Sequence, residues 1–444
     1  MISLDLFFTD PVLRAPTWGT LLMCIASSLM GVLLFLKKRT LLAESLSHAT
    51  FPGVVIGVSL FALLFPQHED KSFFAVLLGA FFSSFLALKA IEWLQAKGRV
   101  SSDAALCFVL SLFFGAGIVA SSAMQTALPT WHKQIQMLLF GQAATMTDVH
   151  IVLYGSLATV VALFISLLFR PLQGILFDRD FAASTGIRVA FLERIIFWLL
   201  LFSLIVGIRS VGVVLISGMI IAPAVAARQY TDRLKPMFFL AAVFGVLSGL
   251  IGNILSVEGS IFLSTPNEKM TLPTGPMIVL SGAAIACFSL VFAPKKGVLF
   301  RLFRIGAFRL KCLEENILKG IWKKGPLTLT GLKQIFRIPS FSLYFILNRL
   351  LRQGWVIVDK GSYCLTPDGS QKASSIVRLH RLWELYLTEM LKLQVEKVHK
   401  TAEEMEHILT PEIEERLTRL LSNPVLDPHQ QPIPDKPPSF SGGL

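Results

Sequence analysis

Residues 275–312, GPMIVLSGAAIACFSLVFAPKKGVLFRLFRIGAFRLKC, contain the change of chemistry that decides the fold. The stretch up to Pro294 has no charged side chain, and a membrane-spanning helix needs about 20 such predominantly apolar residues. From Lys295 onward, basic residues recur among the apolar ones, and no further run of spanning length follows. The sequence therefore predicts a membrane half followed by a half of ordinary cytosolic composition.

Composition and charge support this division. The 444-residue chain has a mean hydropathy of +0.64 and only 16% charged residues, whereas soluble domains have about a quarter. Residues 1–304 hold 22 Lys or Arg and 14 Asp or Glu, and the remainder hold 19 and 15. The C-terminal excess is too small to prove DNA binding alone. The five cysteines form no CxxC pair, so neither a disulfide framework nor a thiolate zinc site is indicated.

Apolar runs upstream predict a mostly α-helical, polytopic membrane domain over residues 1–294. We count about nine spans: 17–36, 47–65, 72–93, 104–123, 149–169, 192–208, 210–227, 236–255 and 275–293. With the N-terminus outside, the inner loops hold 17 Lys or Arg and the outer loops five. Basic loops favour the cytoplasmic side. Nine spans therefore predict a multi-pass membrane protein with a cytoplasmic C-terminal half; eight or ten would break this alternation.

The segment LLAESLSHATFPG, residues 41–53, carries two ionisable side chains inside the apolar half. Glu44 and His48 are four residues apart and share one helix face, and ionisable groups at membrane depth are candidates for function. A carboxylate with an imidazole suits Mn, Fe(II) or Zn. The alternative places Glu44 at the headgroups and His48 in hydrogen-bonded packing. Pro52 and Gly53 could open the helix just beyond the pair.

Several motifs in this half carry a family resemblance. The segments KKRTLLAESLSHATFPG, LFGQAATMTDV, FDRDFAASTGI, VGVVLISGMIIAPAVAARQYTDR and LPTGPMIVL resemble the integral membrane subunit of ABC importers for manganese, iron and zinc. The resemblance implies a place in the bacterial inner membrane, a second permease subunit and a periplasmic metal-binding protein. It also implies metal contacts at Glu44 and His48, where the usual acid is Asp. The chain has no GxxxxGK[ST] motif, so the ATPase would be a separate subunit and the chain itself no enzyme. The residues expected to dock that ATPase are Phe177, Asp178, Phe181, Ala182 and Gly186.

Downstream, residues 295–312 are basic and amphipathic and predict a linker that touches membrane lipid. Residues 313–370 have the order helix, turn, helix and hairpin, which predicts a winged helix-turn-helix domain whose second helix enters the major groove of operator DNA. Its candidate base contacts are Ser340, Ser342, Tyr344 and Asn348, and its candidate phosphate contacts are Lys333, Arg337, Arg349 and Arg352. The alternative is a winged helix that docks protein, because the second helix is unusually apolar.

Residues 371–426 predict a helical metal-binding domain, and residues 427–444 a disordered, Pro-rich tail. The segments LHRLWELYL and VHKTAEEMEHIL place histidines and carboxylates at helical spacings. Such donors without thiolates suit Mn(II), Fe(II), Co(II) or Zn(II); the alternative is a solvated, charged helix face. The candidate ligands are His380, Glu384, His399, Glu403, Glu406 and His407.

Residues 314–434 resemble the DtxR/MntR family of metal-dependent repressors, on motifs that include EHILTPEIEERLTRLLSNP and DPHQQPIP. The resemblance implies a homodimer with a divalent metal as co-repressor. The implied ligands are His380, Glu403, Glu406 and His407, with Glu384 and His399 in an adjoining site. Asn316 and Lys319 stand where manganese-type members have Asp and Glu, so one site loses two carboxylates and gains a cation.

The order of permease then repressor resembles the fused proteins of this kind in chlamydiae. We therefore predict a divalent-metal permease joined to a metal-dependent repressor, with Mn or Fe, and Zn as a further candidate, acting as both substrate and co-repressor. Two alternatives stay open. One is a transporter whose C-terminal domain is only a metal-sensing gate, and the other is a membrane-tethered regulator without transport activity.

Overall fold

The computed structural model describes residues 3–65, 73–98, 100–264, 270–336 and 338–435. Two compact units divide the chain between Phe300 and Arg301, which lie within the predicted linker. Each unit has its own buried apolar core. Among the described residues, strands occur only in the second unit.

Helices make up the first unit. They are α1 (Leu6–Thr9), α2 (Arg14–Leu36), α3 (Thr40–Leu64), α4 (Phe73–Lys97), α5 (Ser102–Ala127), α6 (Pro129–Phe140), α7 (Asp148–Leu167), α8 (Phe169–Phe177), α9 (Arg179–Ser184), α10 (Val189–Val211), α11 (Ile216–Tyr230), α12 (Leu234–Leu263) and α13 (Thr274–Phe292). Within the described ranges, eight are long and apolar enough to cross a membrane: α2, α3, α4, α5, α7, α10, α12 and α13. The central helix α2 packs against α7, α11 and α12.

The predicted span 210–227 differs from the other eight. Its helix α11 has only 15 residues, which at 1.5 Å per residue is about 22 Å, less than the roughly 30 Å of bilayer hydrocarbon. The apolar run is divided at Gly212, whose φ of +96° ends α10. The predicted count of about nine therefore corresponds, in the described part of the chain, to eight helices of spanning length and one shorter helix that packs among them.

The ends of α6 and α10 are joined through main-chain contacts. The N–H of Gln142 donates to the carbonyl of Arg209 over 2.9 Å, and the N–H of Val213 donates to the carbonyl of Leu138 over 3.1 Å. Gly141, which follows α6, has a φ of +78°, and a Cβ there would lie 2.4 Å from the carbonyl carbon of Val211. Only glycine fits such a crossing.

The expected opening of α3 at Pro52 and Gly53 does not occur, because the helix runs unbroken from Thr40 to Leu64. Gly53 instead provides a close helix contact. A Cβ on Gly53 would lie 2.0 Å from the carbonyl oxygen of Gly79 on α4, and one on Gly79 would lie 2.1 Å from that of Gly53. Small residues allow this approach of helix backbones inside membranes.

A winged helix-turn-helix fold opens the second unit, as predicted. Its elements are α14 (Val298–Lys324), β1 (Leu327–Thr328), α15 (Leu329–Phe336), α16 (Ser340–Arg352), β2 (Val356–Asp359) and β3 (Ser362–Leu365). The strands form an antiparallel sheet in the order β1–β3–β2. Residues 298–312 of the predicted linker are helical and belong to the same helix as residues 313–324.

Three further helices, α17 (Pro367–Glu389), α18 (Val395–Met405) and α19 (Pro411–Leu420), complete the second unit. The expectation of a disordered tail is wrong for residues 427–435. Two buried arginines of α17 bind this segment: Arg378 donates to the carbonyl of Pro434 over 2.8 Å, and Arg381 to the side chain of Gln431 over 2.7 Å. The Pro-rich composition of this segment gave no indication of its contacts with Arg378 and Arg381. Residues 436–444 lie outside the described residues.

Candidate functional site

Three potential metal ligands converge between α17 and α18. Nε2 of His380 lies 3.2 Å from Oε1 of Glu384 and 3.1 Å from Nδ1 of His399, and the last two atoms are 2.8 Å apart. Ligand bonds of about 2.1 Å set the ligands on one face of an octahedral or tetrahedral ion roughly 3.0–3.5 Å apart. Two of the three separations lie in this range and the third, 2.8 Å, is slightly shorter, so a divalent ion needs only a small widening of the donor triangle. His399, with 55% of its side chain exposed, lies on the solvent side.

The orientation of the His380 ring is fixed from behind. Its Nδ1 lies 2.5 Å from Oε2 of Glu406. An ionised carboxylate only accepts hydrogen bonds, so Nδ1 carries the proton and donates it. The lone pair of a neutral ring is then on Nε2, which faces Glu384 and His399. Metal-bound histidines commonly have this carboxylate behind the ring.

The pKa values of this group follow from burial and contact. Burial lowers the pKa of His380, but hydrogen bonds to Glu384 and Glu406 raise it more, so it ends above its ordinary value. Burial raises the pKa of Glu384, but the bonds from His380 and His399 outweigh this and bring it to about 2. Without metal, the group is therefore held together as a charged pair, and protons compete with a metal ion for His380.

Two other predicted ligands, Glu406 and His407, contact α14 and are not part of this triangle. The ammonium of Lys319 lies 2.7 and 2.9 Å from the two carboxylate oxygens of Glu406. His407 places Nδ1 2.7 Å from Oε2 of the buried Glu315. Sequence reasoning did not single out Glu315. Its spacing of four from Lys319 was the available signal, because it places both on one face of α14.

The sixth candidate, Glu403, is exposed on α18. In the part of the chain that the structure describes, no hydrogen bond or ion pair joins it to the other five. The structure thus divides the six predicted ligands into a triangle, two residues that contact α14, and one solvent-facing residue.

The candidate DNA-binding residues lie mostly at the surface. Lys333, Ser340, Tyr344 and Arg352 are exposed, whereas Ser342 and Asn348 are partly buried; Arg337 lies outside the described residues. Arg349 pairs with a buried carboxylate, its Nε 2.9 Å from Oε1 of Glu314. Two aromatic side chains of α16, Phe341 and Phe345, are also exposed, by 85% and 54%. The face that would enter a groove is therefore partly apolar.

In the first unit, Glu44 and His48 lie on one face of α3, and both are partly buried. Hydrogen bonds fix the helix there: Ser45 donates to the carbonyl of Leu106 over 2.8 Å, and Ser47 donates to that of Val213. Nδ1 of His48 is buried and has no hydrogen-bond partner among the described residues. A buried imidazole nitrogen without a partner suits a ligand for a passing metal ion better than a hydrogen-bonded packing residue.

The residues expected to dock the ATPase lie at the end of α8, on α9 and in the turns beside it. Asp178 caps α9, because its carboxylate accepts hydrogen bonds of 3.0 Å from the N–H groups of Asp180 and Phe181. Phe177 is 95% exposed and Phe181 64% exposed. Ala182 packs inward, and Gly186 has a φ of +85° in the turn that follows. The two exposed phenylalanines, one at the end of α8 and one on the capped helix α9, form an apolar surface of the kind that marks partner binding.

Comparison with known families agrees with this architecture. Residues 9–293 match the ABC 3 transport family. The chain belongs to this family. A second match covers residues 366–435, with the iron dependent repressor, metal binding and dimerisation domain. Both resemblances drawn from the motifs are confirmed, and this ABC 3 family member is a multi-pass membrane protein with a repressor-like C-terminal region.

Relatives of the ABC 3 family chain include a probable metal transport system membrane protein of Chlamydia trachomatis, 33% identical over 98% of both chains. The manganese transport system membrane protein MntC of Bacillus subtilis is 29% identical over 84% of each chain. Among solved structures, PsaBC from Streptococcus pneumoniae in complex with Fab has a similar fold. Its TM-score is 0.55 at 24% identity, with 66% of this chain and 95% of that chain covered.

Proposed function

We propose that this chain is the permease subunit of a divalent-metal ABC importer and that its second unit is a metal-dependent transcriptional repressor. The observation that carries the proposal is the presence, in one chain, of an ABC 3 unit and a repressor-like unit with a compact triangle of imidazole and carboxylate donors. Manganese and iron are the first candidates and zinc a further one, because imidazole and carboxylate donors without a thiolate suit these ions.

In transport, the metal ion is substrate and passes Glu44 and His48 on α3. A separate ATPase subunit binds the surface around Phe177 and Phe181, a second permease subunit completes the pathway, and a periplasmic protein delivers the ion. Glu44 keeps the charge of the usual Asp on a longer arm, so selectivity among the three metals depends on where its oxygen lies.

Uptake of radioactive manganese by cells that depend on this importer tests the transport role. Glu44→Ala and His48→Ala should each lower the initial rate by at least tenfold, because one ligand of the pathway is lost. Glu92→Ala, an exposed carboxylate on α4, is the matched control and should leave uptake unchanged. Uptake that is the same with the parent chain, with both pathway variants and without the chain would support a membrane-tethered regulator without transport activity.

In regulation, metal bound by His380, Glu384 and His399 would link α17 to α18 behind the winged helix. Such a link favours one arrangement of two winged helices in a homodimer, and it stabilises operator binding by the difference in metal affinity between the two states. The second helix of each winged helix, α16, would enter the major groove, with half-sites about 34 Å apart.

A gel shift tests this role. The fragment 301–444, which has its own core, should retard DNA from upstream of its gene with Mn(II) present and lose this binding with chelator. Glu384→Ala should bind DNA poorly even with Mn(II), whereas Glu389→Ala at the end of the same helix should behave as the parent. Failure of the metal-loaded fragment to bind would favour the gate reading, to which the exposed Phe341 and Phe345 give specific support.

The second unit is proposed to be cytoplasmic, because the inner loops would then carry 17 of the 22 basic residues counted over residues 1–304. The short helix α11 makes this worth a direct test. A phosphatase fused after Phe292 should be inactive and a fluorescent protein at the same place active. The reverse pattern would place the repressor unit outside and remove its access to DNA.

A further inference from the structure

A buried lysine occupies the neighbourhood of Glu406, one of the predicted ligands. Lys319 on α14 is 7% exposed, and the side chain of Glu406 is fully buried. The lysine Nζ lies within 2.9 Å of both carboxylate oxygens and 3.2 Å from Nδ1 of His380. A buried carboxylate needs a cation nearby. Here that cation is the ammonium group of a lysine in the same chain.

The same contacts divide the ring of His380 between two neighbours. Nδ1 donates to Glu406, so Nε2 is the nitrogen that remains for a metal ion at the triangle with Glu384 and His399. Glu406 is then a positioning residue that orients the ring. A divalent ion bound directly to Glu406 would have to displace the ammonium of Lys319 or lie beside its like charge.

We propose that the ammonium of Lys319 takes the place of a second metal ion, so that the C-terminal unit binds one divalent ion per chain, at His380, Glu384 and His399. This inference rests on the proposed function, since it takes the triangle to be a metal site. The contact between α14 and Glu406 is therefore permanent. Metal controls only the contact between α17 and α18.

The test counts Mn(II) ions bound at saturation to the full chain in detergent, by equilibrium dialysis and elemental analysis. All proteins in this test carry Glu44→Ala and His48→Ala, which removes the pathway pair. The chain with these two changes alone is called the parent. The parent should bind one ion per chain, and the further double change Glu384→Ala and His399→Ala should reduce this to none. Lys319→Glu should bind two ions. Lys324→Glu, an exposed residue at the end of the same helix, is the matched control and should bind one.

A second variant decides the matter if Lys319→Glu fails to fold. Glu406→Gln keeps the size of the side chain and should still bind one ion at saturation, because its carboxylate is not a ligand. Two ions in the parent, one in folded Lys319→Glu, or none in Glu406→Gln would overturn the inference. No ion in the parent would instead overturn the proposed metal sensing itself.

Discussion

At the scale of single residues, spacing identified the right helices and left the partners open. His380 and Glu384 are four residues apart, and this spacing alone placed both on one face of α17. It could not show that Glu406 is committed to Lys319, because that contact joins residues 87 positions apart. Long-range pairs depend on how helices pack, which helical periodicity does not encode. Glu403 fits the same stripe as its neighbours and nevertheless faces solvent.

The pH dependence of metal binding follows from His380. Its pKa is raised in the folded chain, so below that pKa the ring is doubly protonated and its ion pairs stabilise the metal-free state. This stabilisation is lost as pH rises through the folded pKa. A metal ion must displace one proton below it, so apparent Mn(II) affinity should rise about tenfold per pH unit there and level off above.

Glu384, with a pKa of about 2, stays ionised over this whole range and adds no slope of its own. Titration calorimetry of the C-terminal unit at several pH values measures the effect. The same affinity at about pH 5.5 and pH 8 would contradict the assignment of His380 as a ligand.

At the scale of elements, apolar run length predicted the spanning helices well because lipid imposes that length on them. It failed at α11, where Gly212 divides one run. The separate expectation that α3 opens at Pro52 was also wrong, because the helix continues there. Both failures have one cause. The consequence of a glycine or proline in a membrane helix depends on the neighbouring backbone, which the sequence does not display.

The crossing of α3 and α4 provides a test of that packing. Gly79→Val should prevent the two helices from packing this closely, because even a Cβ at position 79 would lie 2.1 Å from the carbonyl oxygen of Gly53. We expect most of the protein to aggregate on size-exclusion chromatography in detergent. Gly115→Val on α5 is the matched control, since a Cβ there meets no atom within 4 Å. A monodisperse Gly79→Val protein would show that the helices do not approach this closely.

The arginine contacts of α17 lead to a stability prediction. Arg378 donates to Glu414 over 2.9 Å and to the carbonyl of Pro434, and both side chains are largely buried. Arg378→Met leaves the carboxylate of Glu414 without its cation, so the free energy of unfolding of the fragment 301–444 should fall by about 3–5 kcal/mol. Urea unfolding followed by circular dichroism measures it. Arg416→Met, an exposed change on α19, should have little effect.

At the scale of the whole molecule, two family resemblances in one chain indicated both activities before any geometry was known. What the structure adds is how each unit presents its working surface. The exposed pair Phe177 and Phe181, which the family resemblance identified as docking residues, projects from two short helices. Short helices of this kind are defined by capping contacts such as that of Asp178.

Assembly with the ATPase subunit should depend on this pair. Phe181→Ala should reduce recovery of the ATPase with the tagged permease by at least tenfold, since an exposed aromatic anchor is lost. Phe262→Ala, on an aromatic at the end of α12 that is still more exposed than Phe181, is the matched control and should leave recovery unchanged. Equal recovery from both variants would move the docking surface elsewhere.

The joined ends of α6 and α10 bear on how a transport cycle can proceed. Main-chain hydrogen bonds and a glycine crossing leave no space for these two termini to slide past each other. We therefore expect these two termini to move together during alternating access. A covalent cross-link between the ends of α6 and α10 should therefore leave the transport rate unchanged, whereas a cross-link across a hinge would stop transport.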